Sequence, residues 1–157
     1  GAGDDTINDS TGNDTVTGGT GKDTINVSTG SDTVVVGASD SGVTTATADI
    51  VTNFTTTADE IEVAVAGTAT NYFEIDATST GGDDIATVEL AVTFIEAETT
   101  AGASFDGTEM YAFIFDATGG VDGYLAADVD LDGSVDWVVE LSGLATAASF
   151  EFGDIIA

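Results

Sequence analysis

"GGTGKDTIN", residues 18–26, holds three glycines, one aspartate and one isoleucine, too little apolar material for an ordinary core segment. Its period gives it meaning. Steps of nine residues from Gly21 reach Gly3, Gly12 and Gly30, while Asp5, Asp14, Asp23 and Asp32 follow these glycines by two residues. Ile7, Val16, Ile25 and Val34 follow the aspartates by two more, so four units stand in register. A flexible Gly/Asp/Thr linker has no reason to keep an apolar residue in phase four times. A nine-residue Gly-Gly-x-Gly-x-Asp-x-apolar-x unit is the sequence form of a parallel β-roll.

Glycine at these positions lets the backbone turn with positive φ and leaves carbonyl oxygens uncovered by a Cβ. The next three residues, Thr24-Ile25-Asn26 in the complete unit, are expected to form a short strand with its one apolar side chain pointing inward. Stacking such turns brings aspartates together, and like charges at that distance repel unless a cation lies between them. Six to eight oxygen ligands, carboxylate and carbonyl together, suit calcium. Calcium is therefore the expected cofactor.

These residues resemble the RTX (repeats-in-toxin) family. In that family successive units turn on alternate edges of the roll, so the resemblance implies that units two apart share a site. It pairs Asp5 with Asp23 and Asp14 with Asp32, with Gly3, Gly12, Gly21 and Gly30 supplying the ligating turns. Only residues 18–26 carry the full motif: unit two has Asp9-Ser10 and unit four has Val27-Ser28 where the paired glycines belong. Weaker affinity is expected of those units.

The chain has 157 residues, with 29 acidic residues against one basic residue, Lys22, for a net charge of −28. Gripping nucleic acid requires Lys and Arg to neutralise phosphates, so that role is excluded. Binding an anionic membrane surface is disfavoured for the same reason. Self-repulsion at this charge makes the compact state dependent on bound cations. An acidic surface also suits a saline habitat, which is compatible with calcium binding. There is no cysteine, hence no disulfide frame and no thiolate metal site. There is no histidine, which removes Ser-His and Cys-His nucleophile pairs and the zinc motifs of metalloproteases. The chain reads as non-catalytic. It shows no signal peptide and no apolar run long enough to span a bilayer, so membrane insertion is not expected.

After a loop of small residues near Gly37, residues 48–63 read "ADIVTNFTTTADEIEV". They resemble the segment that closes RTX rolls in exported serralysin-type proteases, with Ile50, Phe54, Ile61 and Val63 capping the last layer. "NYFEID", "IATVELAVTFI", "EMYAFIF", "VDWVVEL" and "SFEFGDII" combine β-branched and aromatic residues with partial alternation and read as strands. Tyr111, Phe113 and Phe115 are expected to share one core face, and Val135, Trp137, Val139 and Leu141 another. One short helical turn is expected at residues 144–149. The fold class is thus all-β: a short parallel β-roll in residues 1–42, followed by a mainly antiparallel β-domain in residues 43–157.

"DVDLDGSVD", residues 128–136, places Asp128, Asp130 and Asp132 at alternate positions, followed by Gly133, the Ser134 carbonyl and Asp136. This is the front half of an EF-hand calcium loop. Val139 stands where that loop needs its bidentate Glu, and the flanks are strand formers, so a calcium loop at the tip of a β-hairpin is expected instead. It resembles the acidic hairpin in the carboxy-terminal domain of serralysin-like proteins. Asp154-Ile-Ile-Ala157 resembles the terminus of type I secretion substrates. Roughly residues 64–108 carry no specific match.

The resemblance implies an extracellular protein that passes type I secretion machinery and folds on calcium. Because the sequence opens inside a repeat and without Met, it reads as the carboxy-terminal part of a longer protein or a processed form. Two functions are open: a self-assembling surface-layer or filament subunit, forming a homo-oligomer or polymer, or the secretion and folding tail of a larger exported enzyme, adhesin or toxin. The scarcity of basic groups, Lys22 alone, and the lack of any ligand motif other than those for calcium favour the structural one.

Overall fold

A computed structural model describes residues 1–76, 85–97, 105, 107–115, 122–144 and 150–157. Four three-residue strands, β1 (Thr6–Asn8), β2 (Thr15–Thr17), β3 (Thr24–Asn26) and β4 (Thr33–Val35), lie at the repeat spacing. Units two apart pair in parallel: Ile7 stands opposite Ile25, and Val16 opposite Val34. The chain therefore winds as a roll, odd strands forming one wall and even strands the other. Glycine is obligatory where the turns stack. A Cβ on Gly21 would come within 2.6 Å of the Gly3 carbonyl carbon, and one on Gly30 would strike the Gly12 carbonyl oxygen.

β5 (Asp49–Thr52) and β6 (Glu60–Glu62) add a third layer, pairing in parallel with β3 and β4. Neither wall ends there. β5 continues into β10 (Trp137–Ser142), which runs antiparallel to β9 (Asp122–Ala127), itself antiparallel to β8 (Tyr111–Phe115), with β7 (Tyr72–Asp76) at the edge. The other wall ends with β11 (Ile155–Ile156) beside β6. A seven-stranded sheet, β1-β3-β5-β10-β9-β8-β7, thus faces a four-stranded one, β11-β6-β4-β2. The all-β reading holds, with a parallel roll and antiparallel strands in one continuous sheet.

Two cores result. Between the sheets lie Ile25, Val34, Val51, Phe54, Ile61, Phe113, Trp137 and Phe150, with Phe113 and Phe150 stacked at 4.6 Å. On the outer face of the long sheet, Ile75, Ala112, Ile114, Tyr124 and Val138 pack against a helix, α1 (Val88–Ala97).

Several expectations need correction. "IATVELAVTFI" contains α1, not a strand: Val88, Ala91 and Ile95 fall on one face at helical spacing, and all three are buried. Its β-branched residues disguise that period. In residues 48–63, Ile50 is half-buried while Val51 is fully buried, because the inward position of β5 is the one opposite Ile25. Phe54, Ile61 and Val63 are buried as expected. Tyr111, Phe113 and Phe115 do share the inter-sheet face, and so do Trp137, Val139 and Leu141, but Val135 turns to the helix side. Among the described residues of "SFEFGDII", Ile155–Ile156 is the strand, preceded by a 3-10 turn at Phe152–Asp154. The helical turn expected at residues 144–149 falls mainly outside the described residues.

Burial predicts unequal responses to the same truncation. Ile61→Ala, at a fully buried site, should lower unfolding free energy by about 2–5 kcal/mol in urea titrations with calcium present. Ile50→Ala should cost roughly half of that or less. An equal loss would place Ile50 in the core.

Candidate calcium sites

Each repeat aspartate precedes its strand, so the parallel pairing places aspartates of units two apart directly over one another. The Asp5 N–H donates to Asp23 Oδ1 (2.8 Å), and the Asp23 N–H donates to Asp49 Oδ1 (2.8 Å). On the other edge the Asp14 N–H donates to Asp32 Oδ1 (2.9 Å), and the Asp32 N–H to Asp59 Oδ1 (2.9 Å). Two aspartate ladders run up the roll. Their upper rungs, Asp49 and Asp59, were not among the expected site residues: Asp49 lies one residue short of the nine-residue register, whereas Asp59 lies in it, 27 residues after Asp32, beyond two units that have Ser41 and Ile50 in place of the aspartate. Their signal was local: Asp49-x-Val51 and Asp59-x-Ile61 repeat the Asp-x-apolar step of Asp23-x-Ile25.

Each ladder uses one oxygen of its carboxylate. Asp23 and Asp32 are almost completely buried, and the second oxygen of each has no hydrogen-bond partner; the Oδ2 atoms of Asp9 and Asp14 are likewise buried and unpaired. Leaving a buried carboxylate oxygen unpaired is costly. One oxygen each from Asp9, Asp14 and Asp32 lie within 4.8 Å of one another. Asp5 is exposed at the first layer. The upper rungs differ: the second oxygen of Asp59 accepts the Thr55 N–H (2.8 Å), which closes that ladder with protein donors.

Burial pushes the Asp49 carboxyl up to about 7; the Asp23 N–H pulls it down, while the charges of Asp23 and Asp40 push it further up. A carboxyl raised above its ordinary 3.8 holds its proton more tightly in the folded chain. In chelator its contribution to stability is therefore present at low pH and lost as pH rises toward about 7.

Gly3, Gly12, Gly21 and Gly30 all have positive φ and stand at the turns that carry these aspartates. The donor set consists of carboxylates with free oxygens in tight carbonyl-rich turns, which is what a hard divalent cation requires. Residues 1–34 match the family model of the RTX calcium-binding nonapeptide repeat in four copies. The four turns are RTX calcium-binding repeats. No curated protein matches the chain. Among solved structures, the chain is similar to the solution structure of the AlgE6R3 subunit from the Azotobacter vinelandii mannuronan C5-epimerase, with 14% identity, a TM-score of 0.39 and coverage of 99% of this chain and 78% of that one. That likeness is too distant to bear on function.

The second acidic group lies where expected, on the loop between β9 and β10. Asp128, Asp130 and Asp136 come within 4.8 Å of one another, whereas Asp132 is not part of that group. Unlike the RTX turns, this loop largely satisfies itself. The buried Asp128 accepts the Asp132 N–H (3.1 Å) and the Gly133 N–H (2.8 Å), Asp132 accepts the Ser134 N–H (2.9 Å), and Asp136 accepts the Val129 N–H (2.8 Å). Desolvation, then the charges of Asp132 and Asp136, push the Asp130 carboxyl upward. The hairpin has charge to neutralise, but no orphaned buried oxygen like those of the roll appears among its described residues.

Asp23→Ala should weaken calcium binding by about tenfold or more, as expected when a carboxylate leaves a coordination shell. Asp40→Ala removes an acceptor for the Gly37 N–H and a charge near Asp49, but no carboxylate of the ladders, and should leave affinity nearly unchanged. Calorimetric titration of both variants with calcium checks this, and equal affinities would remove Asp23 from the site.

Proposed function

We propose that this protein is a non-catalytic, extracellular structural subunit that is exported through type I secretion machinery, folds on calcium and assembles into a surface layer or filament. Calcium held by the Asp5–Asp23 and Asp14–Asp32 ladders, with the carbonyls of the glycine turns, orders residues 1–42; residues 43–157 form a serralysin-like carboxy-terminal unit. The hairpin group Asp128, Asp130 and Asp136, with Asp132 and the Ser134 carbonyl beside it, is a secondary calcium loop on this reading.

The observation that carries self-assembly is the open layer of the roll. β1 and β2 are edge strands of the two sheets at the same layer, and Ile7 between them is only half-buried. Unpaired edges of this kind template further pairing, and layers of a solenoid require a cover. Either residues upstream of Gly1 or another copy of the chain would supply one, and the assembly reading takes the second. The contact would be head-to-tail, which gives open filaments or lattices when it does not close. At a net charge of −28 copies repel until calcium and salt reduce the field.

On this reading the secretion signal is at residues 154–157, and export precedes folding. Ile155 is buried and pairs beside β6, so the terminal segment is accessible as a linear signal only in the unfolded chain. Low cytosolic calcium would keep it so, because extracellular calcium modules work at about 10⁻⁴–10⁻³ M.

Light scattering and electron microscopy of the purified chain at about 10⁻³ M calcium should show concentration-dependent polymers that chelator dissolves. A strict monomer over a wide concentration range would instead support a secretion and folding tail of a larger exported protein.

A further inference from the structure

We propose that Asp9 converts the cation site between the second and fourth turns into a three-carboxylate site, tighter and more highly charged than the site between the first and third turns. The inference rests on the calcium reading above and adds a ligand that the repeat motif does not contain. In the complete unit the corresponding position is Gly18; unit two has Asp9 instead. By sequence that substitution is a defect in the repeat. The structure gives it a use.

Asp9 is half-buried and held from the layer above: its Oδ1 accepts the Ser28 N–H (2.8 Å), and Ser28 Oγ in turn donates to the Ser10 carbonyl (2.7 Å). The two departures from the motif, Asp9-Ser10 and Val27-Ser28, therefore lock onto each other. Val27, where another glycine belongs, is fully buried in the inter-sheet core. With Oδ1 engaged, Asp9 Oδ2 is left buried and without a partner, as are Asp14 Oδ2 and Asp32 Oδ2. The carboxylates of these three residues converge within 4.8 Å, and Asp32 is 1% exposed. No side-chain cation compensates them. Lys22, the one basic residue, has its ammonium on the Thr45 carbonyl oxygen.

The opposite edge shows no such group among the residues present. Asp5 and Asp23 stack there, and Gly18, which opens the third turn, carries no carboxylate; a Cβ on it would strike Asp23 Oδ2. Two carboxylates balance a divalent cation; three leave one negative charge in excess and balance a trivalent ion. More ligand charge means tighter calcium binding. The Asp9 site should fill first, fix the second turn under the fourth, and show a stronger preference for lanthanide over calcium than its neighbour.

The test uses the full chain and two probes, calcium alone and terbium alone, each followed by calorimetry and far-UV circular dichroism. Wild-type protein should show two affinity classes in the roll. Asp9→Asn keeps an oxygen for the Ser28 N–H but removes the charge; it should weaken the tighter class by about tenfold or more, reduce the terbium preference and leave the weaker class in place. Asp9→Gly, which restores the motif, should do the same, and both variants should regain the wild-type spectrum at higher calcium. Asp23→Asn should affect the other class. If both Asp9 variants bind calcium and terbium as the wild type does, the inference falls while the calcium reading stands. If the wild-type chain takes up no calcium, the two fall together.

Discussion

Four carboxylate oxygens, on Asp9, Asp14, Asp23 and Asp32, lie buried in the roll without a hydrogen-bond partner, and the rest of the amino-terminal structure depends on what neutralises them. The backbone satisfies one oxygen of Asp23 and Asp32 through the N–H groups of Asp5 and Asp14 in the neighbouring layer. It cannot satisfy the second. An uncompensated buried charge costs several kcal/mol after relaxation, and the roll's one or two inward side chains per turn are a small return against a backbone ordering cost of about 1–2 kcal/mol per residue. On the proposed reading, calcium binding therefore becomes folding free energy for this part of the chain.

The other part is built differently. β8, β9 and β10 are buried on both faces, by the four-stranded sheet on one side and α1 on the other, and their apolar residues form two cores. The hairpin loop supplies its own donors to Asp128, Asp132 and Asp136. Yet β3-β5-β10 is one unbroken run of hydrogen-bonded strands. On the proposed reading, order in the carboxy-terminal sheet gives the last turn of the roll a template, and calcium extends that order toward β1.

Much of the roll was legible because a nine-residue period constrains backbone and side chains together: Gly21 fixes the turn, Asp23 the ladder and Ile25 the inward face. The hairpin at residues 128–136 was legible from Asp and Gly spacing between strand formers. What was not legible depends on contacts across the fold. α1 was hidden because Val88, Val92 and Ile95 are β-branched, and only packing against β8–β10 selects the helical face over the alternating one. Val51 and Ile50 are adjacent apolar residues, and only the register against Ile25 decides which enters the core. Asp49 escaped notice because the loop after β4 displaces it from the period by one residue, and Asp59 because the in-phase positions before it are Ser41 and Ile50, which break the run of aspartates. Asp9 and Val27 read as damaged repeat positions, whereas one brings a carboxylate beside those of Asp14 and Asp32 and the other is a core side chain.

Hydrogen exchange on the full chain, compared in calcium and in chelator, tests the dependence on the buried aspartates most directly. The amides of residues 24–26 and 33–35 report the roll, and those of residues 122–127 and 137–142 report the sheet with its own cores. The account predicts that chelator abolishes protection in the first set and leaves most of it in the second. Equal protection of residues 24–26 and 33–35 with and without calcium would contradict it.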